Sequence, residues 1–261
     1  MRPNPVLCAW REGRQTIGGW LTIGSSFSAE IMAHQGFDWL CIDMQHGAID
    51  NADCFQMLQA ISTTSTVPFV RVPSNDAADI GRALDYGAYG VIVPLVNNRW
   101  DAERAVRAMR YPPKGDRSSG PARAALYAGA DYQLHANDEV ACIVMIETVE
   151  ALHNLDAIMS VPGVDCAYIG PSDLAYALGI EPTGDNHDPR HSEAVLNILA
   201  AAKRHGVAPG VHTASVEFTT RWLEAGFQMV MLGQDRAFMA RQAGADLGAA
   251  RAASKVERVT A

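Results

Sequence analysis

The sequence predicts one closed (β/α)8 barrel, an α/β fold of the TIM-barrel type, on three observations. The chain has 261 residues, close to the roughly 250 residues that are typical of this fold. Eight short apolar runs alternate with longer segments of helical period. The runs are continuously apolar, as parallel strands are when helices cover them. Because closure leaves no exposed sheet edge, we expect a single barrel domain over 1–261 and not an open sheet.

The eight predicted strands are rich in Val, Ile and Leu, and they span 19–23, 39–44, 68–72, 90–94, 141–146, 166–170, 207–211 and 228–232. The predicted helices that follow them span 26–35, 51–62, 76–86, 101–109, 149–159, 191–205, 215–225 and 235–252. Start and stop residues support two of these helices independently of the strands. Ser215 and Gly226 flank one helix, and Asn75 or Asp76 precedes another that Gly87 follows.

The segment 110–138 interrupts this alternation between the fourth helix and the fifth strand. It is rich in Pro, Gly and Ser, so we interpret it as a long loop, and loops of that length usually have a function. It begins on the side of the barrel where the helices end, opposite the expected active face. To reach that face it must fold over its own barrel or belong to a neighbouring subunit, and we favour the neighbour.

Charge and cysteine content exclude several classes of protein. The chain has 21 basic and 29 acidic residues, and the net charge of −8 repels nucleic acid and anionic membranes. No apolar run approaches the roughly 20 residues of a membrane helix, and no signal-peptide pattern is present, so we expect a cytoplasmic protein. The five cysteines are scattered without a CxxC pair, which predicts neither a disulfide framework nor a zinc ribbon.

Two acidic residues stand where strands of such a barrel deliver catalytic side chains. Glu147 and Asp173 each follow an apolar run that we predict to be a strand. Either they are a structural acidic pair, or they converge and need a cation, since like charges repel. Two oxygen ligands with open positions suit Mg²⁺ or Mn²⁺, whereas zinc favours His or Cys. We therefore predict a divalent cation at these two carboxylates.

A second group of polar residues lies at the predicted second and third strands. Asp43 and His46 are three residues apart, so the carboxylate can orient the imidazole and raise its basicity. Arg71 lies inside an apolar run, where a guanidinium must meet an anion. That anion is Glu147 or Asp85 in a structural interpretation, or a substrate carboxylate or enolate in a functional one.

Lysine positions exclude one mechanism. The three lysines are Lys114 in the long segment, Lys203 in a helix and Lys255 in the tail. None follows a predicted strand, so we expect no Schiff-base aldolase chemistry, which needs a lysine in the mouth. His212 also follows a strand, and we interpret it as structural.

These residues and their neighbouring motifs resemble the HpcH/HpaI family of class II pyruvate aldolases. The resemblance covers most of the chain and depends on the motifs GGWLTIGS (18–25), DMQHG (43–47), VRVP (70–73), RYPPKGDR (110–117), IET (146–148) and GVDCAYIGPSDL (163–174). It implies reversible aldol cleavage of a 4-hydroxy-2-oxo acid to pyruvate, or hydroxypyruvate, and an aldehyde. It also implies a Mg²⁺, Mn²⁺ or Co²⁺ cofactor and a homohexamer, a trimer of dimers, with the C-terminal helix exchanged between subunits.

The resemblance assigns a role to each candidate residue. Glu147 and Asp173 would be the metal ligands, and His46 would be the general base, paired with Asp43. Arg71 would hold the 2-oxo acid and neutralise its enolate. The backbone amides of Gly170, Ser172 and Asp173 would bind the substrate carboxylate. Trp20 and Asp85 would shape the site.

Two departures from the family pattern concern acceptor scope and the contacts of the long segment: Met145 replaces a glutamine, and Ser118 and Ser119 replace residues of an RGxG motif. Two alternatives stay open. One is a lyase acting on a CoA thioester of citryl or malyl type, and the other is a barrel that binds a metal without catalysis.

Overall fold

The computed structural model describes residues 1–254 and shows a closed barrel of eight parallel strands in sequence order. The strands are β1 Thr16–Leu21, β2 Trp39–Asp43, β3 Val67–Arg71, β4 Gly90–Val93, β5 Ala141–Ile146, β6 Cys166–Ile169, β7 Ala208–His212 and β8 Met229–Gln234. Surrounding helices connect the strands, and β1 pairs with β8 to close the sheet. The predicted (β/α)8 fold is therefore confirmed.

The helices within the described residues are α1 Pro5–Arg11, α2 Ser26–Ala33, α3 Asn51–Ile61, α4 Ala77–Asp85, α5 Arg99–Met109, α6 Ala122–Ala128, α7 Tyr132–Glu139, α8 Val149–His153, α9 Leu155–Met159, α10 Pro171–Ala177, α11 Pro189–His205, α12 Val216–Ala225 and α13 Asp235–Ser254. All eight predicted helices overlap observed ones, although 149–159 is divided at Asn154. The sequence analysis missed α1, α6, α7 and α10. Asn4 caps α1, where its side chain accepts from the Leu7 N–H.

The interpretation of 110–138 as one long irregular loop was wrong. Only its first half is rich in Pro and Gly, whereas the second half is rich in alanine and forms α6 and α7. The segment also packs against its own barrel. Arg110 Nη1 donates to the Val140 carbonyl at 2.8 Å, and Arg110 Nη2 donates to Asp165 at 3.0 Å. Whether the segment also contacts a neighbouring subunit stays a prediction.

The barrel interior explains why the strand runs are continuously apolar. Strands β2 to β6 are buried along their whole length, and large aromatic side chains such as Trp20, Trp39 and Phe69 fill the space that they enclose. The strand register also sets the polar end of the barrel. Asp43 and Arg71, the last residues of β2 and β3, are direct register partners. A polar pair therefore lies where the apolar core ends.

The C-terminal helix α13 has 20 residues, and Asp235 is the residue of it that is buried. Most of this helix thus leaves its own barrel, and its exchange between subunits stays a prediction. Lys255, which we placed in the tail, lies outside the described residues. Across residues 1–254, no helix combines the length and the apolar content that crossing a bilayer requires.

Close packing inside the barrel predicts a cost for added volume at Gly90. A Cβ there would lie 2.8 Å from the Phe69 ring and 3.1 Å from Ala141 Cβ. We expect Gly90→Ala to lower the free energy of unfolding by about 1–3 kcal/mol, measured by urea denaturation. Gly120→Ala is the control, since a Cβ at Gly120 meets nothing within 4 Å. Equal stability of the two variants would contradict this account of the core.

Candidate active site

A pocket of about 510 Å³ opens at the carboxyl ends of the strands. Of the nine predicted site residues, six line it: Asp43, His46, Arg71, Gly170, Ser172 and Asp173. The pocket is completed by Thr22, Ala48, Met145, Pro171, His212, Gln234 and Arg236. Barrel closure therefore brings together residues of β2, β3 and the β6–α10 connection, as expected for a site at this face.

Arg71 forms a buried, bidentate ion pair with Asp43. Arg71 Nε donates to Asp43 Oδ1 at 2.8 Å, and Nη2 donates to Asp43 Oδ2 at 2.7 Å. Burial would raise the pKa of Asp43, but the hydrogen bonds and positive charge of Arg71 outweigh it and lower that pKa. In the structural interpretation, the anion that meets Arg71 was Glu147 or Asp85. That interpretation was wrong, because the strand register places Asp43 directly opposite Arg71.

The third nitrogen of Arg71 remains available to the pocket. Its Nη1 contacts the sulfur of Met145 at 4.0 Å, and a thioether is a weak acceptor. Trp20 packs beneath the guanidinium, whose carbon lies 5.1 Å from the ring centre. Trp20 is fully buried, so it supports Arg71 from below and does not line the opening as a residue in direct contact with substrate would.

The expected contact between the Asp43 carboxylate and the His46 ring is replaced by backbone contacts. Asp43 Oδ1 accepts from the backbone N–H groups of Gln45 at 3.1 Å and His46 at 3.3 Å. The carboxylate thus shapes the turn that carries His46, while the imidazole is exposed at the pocket. Asp43 instead accepts from Arg71 with both oxygens, and among residues 1–254 no hydrogen bond joins it to the His46 ring, so the pairing that the spacing suggested is not formed.

Glu147 is buried at 2% exposure and only half satisfied. Its Oε1 accepts from the Leu95 N–H at 2.9 Å, while its Oε2 has no hydrogen-bond partner. Burial, followed by the negative charge of Asp173, raises the pKa of Glu147 to about 7. A Cβ at Gly170 would collide with Glu147 Oε2, so glycine is what leaves this oxygen room. A buried carboxylate oxygen without a partner, under the negative charge of a second carboxylate, is an environment that a cation stabilises.

The number of acidic ligands suits a cation that keeps water or substrate in its coordination shell. Within residues 1–254, no cluster of three or more His, Cys, Asp and Glu side chains could hold a metal ion. Glu147 and Asp173 are therefore two carboxylate ligands, which by themselves do not fill the coordination shell of a metal ion. Mg²⁺ is commonly held in this way, by one or two carboxylates plus water and substrate.

Asp85 lies apart from this pocket. It is the last residue of α4, at the barrel end where helices finish, and it lines a second cavity of about 730 Å³ between α4 and α5. Its Oδ1 accepts from Arg117 Nη2 at 2.8 Å. The structure therefore does not place Asp85 at the site of its own chain.

Four residues at the mouth escaped the sequence analysis or were given no role in the site. Leu95 has a φ of 54°, a left-handed conformation that costs a leucine about 1–3 kcal/mol and that directs its N–H at Glu147. His212, Gln234 and Arg236 line the pocket from β7, β8 and the start of α13. Their position at the carboxyl ends of strands was the available signal.

Fold and site together define a barrel enzyme whose carboxylates and arginine converge on one small polar pocket. The profile of the HpcH/HpaI aldolase/citrate lyase family matches residues 16–241. The chain belongs to this family, as its sequence motifs predicted.

Two relatives and one solved structure show how far the similarity extends. A hydroxypyruvate/pyruvate aldolase of Rhizorhabdus wittichii is 40% identical over 246 residues, covering 93% of this chain and 98% of that protein. A 4-hydroxy-2-oxo-heptane-1,7-dioate aldolase of Shigella flexneri is 40% identical, covering 92% and 90%. A family protein from Burkholderia cenocepacia has 35% identity and a TM-score of 0.89, covering 95% and 99%. The protein is therefore an enzyme of the carbon–carbon lyase class.

Breaking the buried ion pair should destabilise the fold strongly. Asp43→Ala leaves the Arg71 guanidinium buried without an anion, and we expect a loss of about 3–5 kcal/mol in urea unfolding. The double variant Asp43→Leu, Arg71→Met removes both charges and should recover part of this loss. Glu103→Ala is the control: it breaks an exposed pair with Arg99, worth about 0–1 kcal/mol. Equal losses in Asp43→Ala and Glu103→Ala would contradict the importance of burial.

Proposed function

We propose that this enzyme is a divalent-metal-dependent class II aldolase that interconverts a 4-hydroxy-2-oxo acid with pyruvate, or hydroxypyruvate, and an aldehyde. The observation that carries the proposal is the unpartnered Oε2 of Glu147, which is buried beside Gly170. Gly170 lines the pocket together with Asp173 and the Asp43–Arg71 pair, and the charge of Asp173 acts on Glu147. A cation beside a guanidinium is suited to a substrate that carries a carboxylate and develops negative charge on its keto oxygen. The names of the two 40% identical relatives support this substrate class.

Glu147 and Asp173 would hold the cation. A bound divalent ion would polarise the keto group of the 2-oxo acid and stabilise negative charge there. The chain prepares this position by two devices: the Leu95 N–H orients one oxygen of Glu147, and Gly170 keeps the space beside the other oxygen free. Neither device would be needed by a carboxylate that only repelled its neighbour.

Arg71 would bind the oxygen atoms of the 2-oxo acid through Nη1. Its Nε and Nη2 each donate one N–H to Asp43, which holds the guanidinium plane in one orientation. Because the pair is internally neutral, Arg71 can supply a directed N–H without adding a free charge to the pocket. The same N–H would stabilise the enolate oxygen, which carries more charge than the ketone from which it forms.

The start of α10 would receive the substrate carboxylate, as the family resemblance implies. Gly170 occupies the N-cap, and no side chain there accepts from the first turn. The N–H groups of Ser172 and Asp173 therefore remain for an acceptor supplied by a ligand. This assignment places the carboxylate beside the keto group and between Arg71 and the Glu147–Asp173 pair.

His46 would act as the general base. Its ring is exposed at the pocket, and its turn is held by the two backbone hydrogen bonds to Asp43. In the addition direction, His46 takes a proton from C3 of the 2-oxo acid, and the electron pair forms the enolate. C3 then bonds to the aldehyde carbon, and the aldehyde oxygen takes up a proton as it becomes the C4 hydroxyl. Cleavage is the reverse of each step.

Asp85 fits this proposal only through a second copy of the chain. It lies outside the pocket of its own barrel, so any part in catalysis requires the predicted homohexamer to bring it to a neighbour's site. Its partner Arg117 is nearly completely buried, which holds the carboxylate at the rim of the α4–α5 cavity.

Exchange of the C3 protons of pyruvate in D₂O tests the donor half of the reaction without an acceptor. We expect exchange, followed by NMR, with Mg²⁺ or Mn²⁺ present, loss of exchange after EDTA treatment, and recovery when either metal is added back. The chemical reason is that an enolate must form for the proton to leave. A chain that binds metal but exchanges no protons would be a binding protein and not an aldolase.

The same assay tests His46. We expect His46→Ala to slow exchange by about 10² to 10⁴, the usual contribution of a general base. His34→Ala, an exposed histidine at the end of α2, is the matched control and should exchange at the wild-type rate. If His46→Ala also exchanged at that rate, another group would be the base. Cleavage of CoA thioesters in preference to free 4-hydroxy-2-oxo acids would support the alternative lyase instead.

A further inference from the structure

One side of the pocket has no part in the donor chemistry described above. His212 is the last residue of β7, Gln234 is the last residue of β8, and Arg236 follows at the start of α13. All three line the same pocket as His46 and Arg71. We call these three residues the β7–β8 wall. Since the donor is assigned to the β2, β3, β5 and β6 side, this wall faces the remaining space.

Hydrogen bonds order the wall into a chain. Arg236 Nε donates to Gln234 Oε1 at 2.9 Å, which turns the amide NH₂ of Gln234 toward His212. Gln234 Nε2 lies 3.4 Å from His212 Nε2, and His212 Nδ1 lies 3.3 Å from the Tyr168 hydroxyl. With Nε2 accepting, the proton of a neutral His212 is on Nδ1 and points to Tyr168. The directions of the hydrogen bonds along the β7–β8 wall are therefore set by Arg236, which fixes the orientation of the Gln234 amide.

Arg236 is the permanent charge of this wall. Burial, together with the nearby positive charge of Arg71, lowers the pKa of His212 to about 3, so the imidazole is neutral near pH 7. The adjacent acid, Asp235, is turned to the end of β1, where it accepts from the backbone N–H groups of Thr22 and Ile23. Asp43 is committed to Arg71.

Arg236 differs from Arg71 in having no anion of its own. Among residues 1–254, no salt bridge involves Arg236. Its Nε is held by Gln234, while the side chain is exposed at the rim of the pocket. A guanidinium in this state can offer its terminal N–H groups to a two-oxygen anion, the partner that matches its planar geometry.

From this arrangement we infer that the β7–β8 wall is the acceptor subsite, and that it selects aldehydes that carry an oxyanion, a carboxylate or a phosphate, at the end away from the carbonyl. Arg236 binds the oxyanion, and Gln234 holds Arg236 in place. The inference rests on the proposed aldolase function and names the class of its second substrate.

Matched pairs of acceptors test this assignment in the addition reaction with pyruvate. One pair is 4-oxobutanoate and butanal, and the other is glycolaldehyde phosphate and glycolaldehyde. We expect the wild type to favour the anionic member of at least one pair, and the favoured pair identifies the oxyanion. Arg236→Met should lower kcat/KM for that anionic acceptor by about 10- to 100-fold, the effect of losing one charge-assisted hydrogen bond. Its kcat/KM for the neutral partner should change less than about threefold.

Two controls separate this subsite from the rest of the enzyme. Arg241→Met removes another exposed arginine of α13, outside the pocket, and should leave both members of a pair unchanged. Arg236→Lys keeps the charge and should recover part of the preference. Proton exchange of pyruvate without an acceptor should be the same in Arg236→Met and in the wild type, because exchange needs the donor side alone.

Each contrary result overturns a defined part of the argument. Equal use of anionic and neutral acceptors by a wild type that exchanges pyruvate protons rejects the subsite and leaves the aldolase proposal standing. Equal losses on both members of a pair, or slower proton exchange in Arg236→Met, would mean that Arg236 serves the donor or the fold. A wild type that exchanges no protons with metal present overturns the aldolase proposal and this inference together.

Discussion

Closure of the eight-stranded sheet is the constraint on which the site depends, because it brings the carboxyl ends of all strands to one mouth. The first strand pairs with the last, so residues from β1 to β8 meet around a single pocket although they are more than 200 positions apart in the chain. The interior below that pocket is apolar and closely packed. Buried polar groups at the mouth must therefore bond to one another or to a ligand, since the apolar barrel interior offers them no hydrogen-bond partners.

Two sets of buried charged side chains at the mouth, the Asp43–Arg71 pair and Glu147, differ in whether their hydrogen bonds are complete. Asp43 and Arg71 satisfy each other through two hydrogen bonds, which makes the pair a rigid and neutral support. Glu147 is only half satisfied: one oxygen accepts from the strained Leu95 backbone, and the other lies beside Gly170 without a partner. The first set orients the free Nη1 of Arg71, whereas the second leaves a buried carboxylate oxygen that a divalent cation would stabilise in our proposal.

The pocket also divides the aldol reaction between two sides of the barrel. In our proposal, the donor 2-oxo acid is bound and deprotonated by residues of β2, β3, β5 and β6, and the acceptor aldehyde meets the β7–β8 wall. Such a division would let the residues of the acceptor side vary while those that form the enolate are kept. Late strands and the connections after them are thus where acceptor specificity of this chain would be determined.

The sequence by itself determined the fold class and the residues that bear charge at strand ends. Eight continuously apolar runs predicted the barrel, and Glu147 and Asp173 stood out because each ends such a run. Only the tertiary structure decided which groups are partners. Spacing paired Asp43 with the His46 ring, but strand register gave the carboxylate to Arg71, since residues 28 positions apart are nearest neighbours across parallel strands. The tertiary structure also decided that Asp85 lies outside the pocket, and that His212, Gln234 and Arg236 form one hydrogen-bonded wall. Periodicity along one chain reports which faces are buried, and it carries no information about what those faces meet.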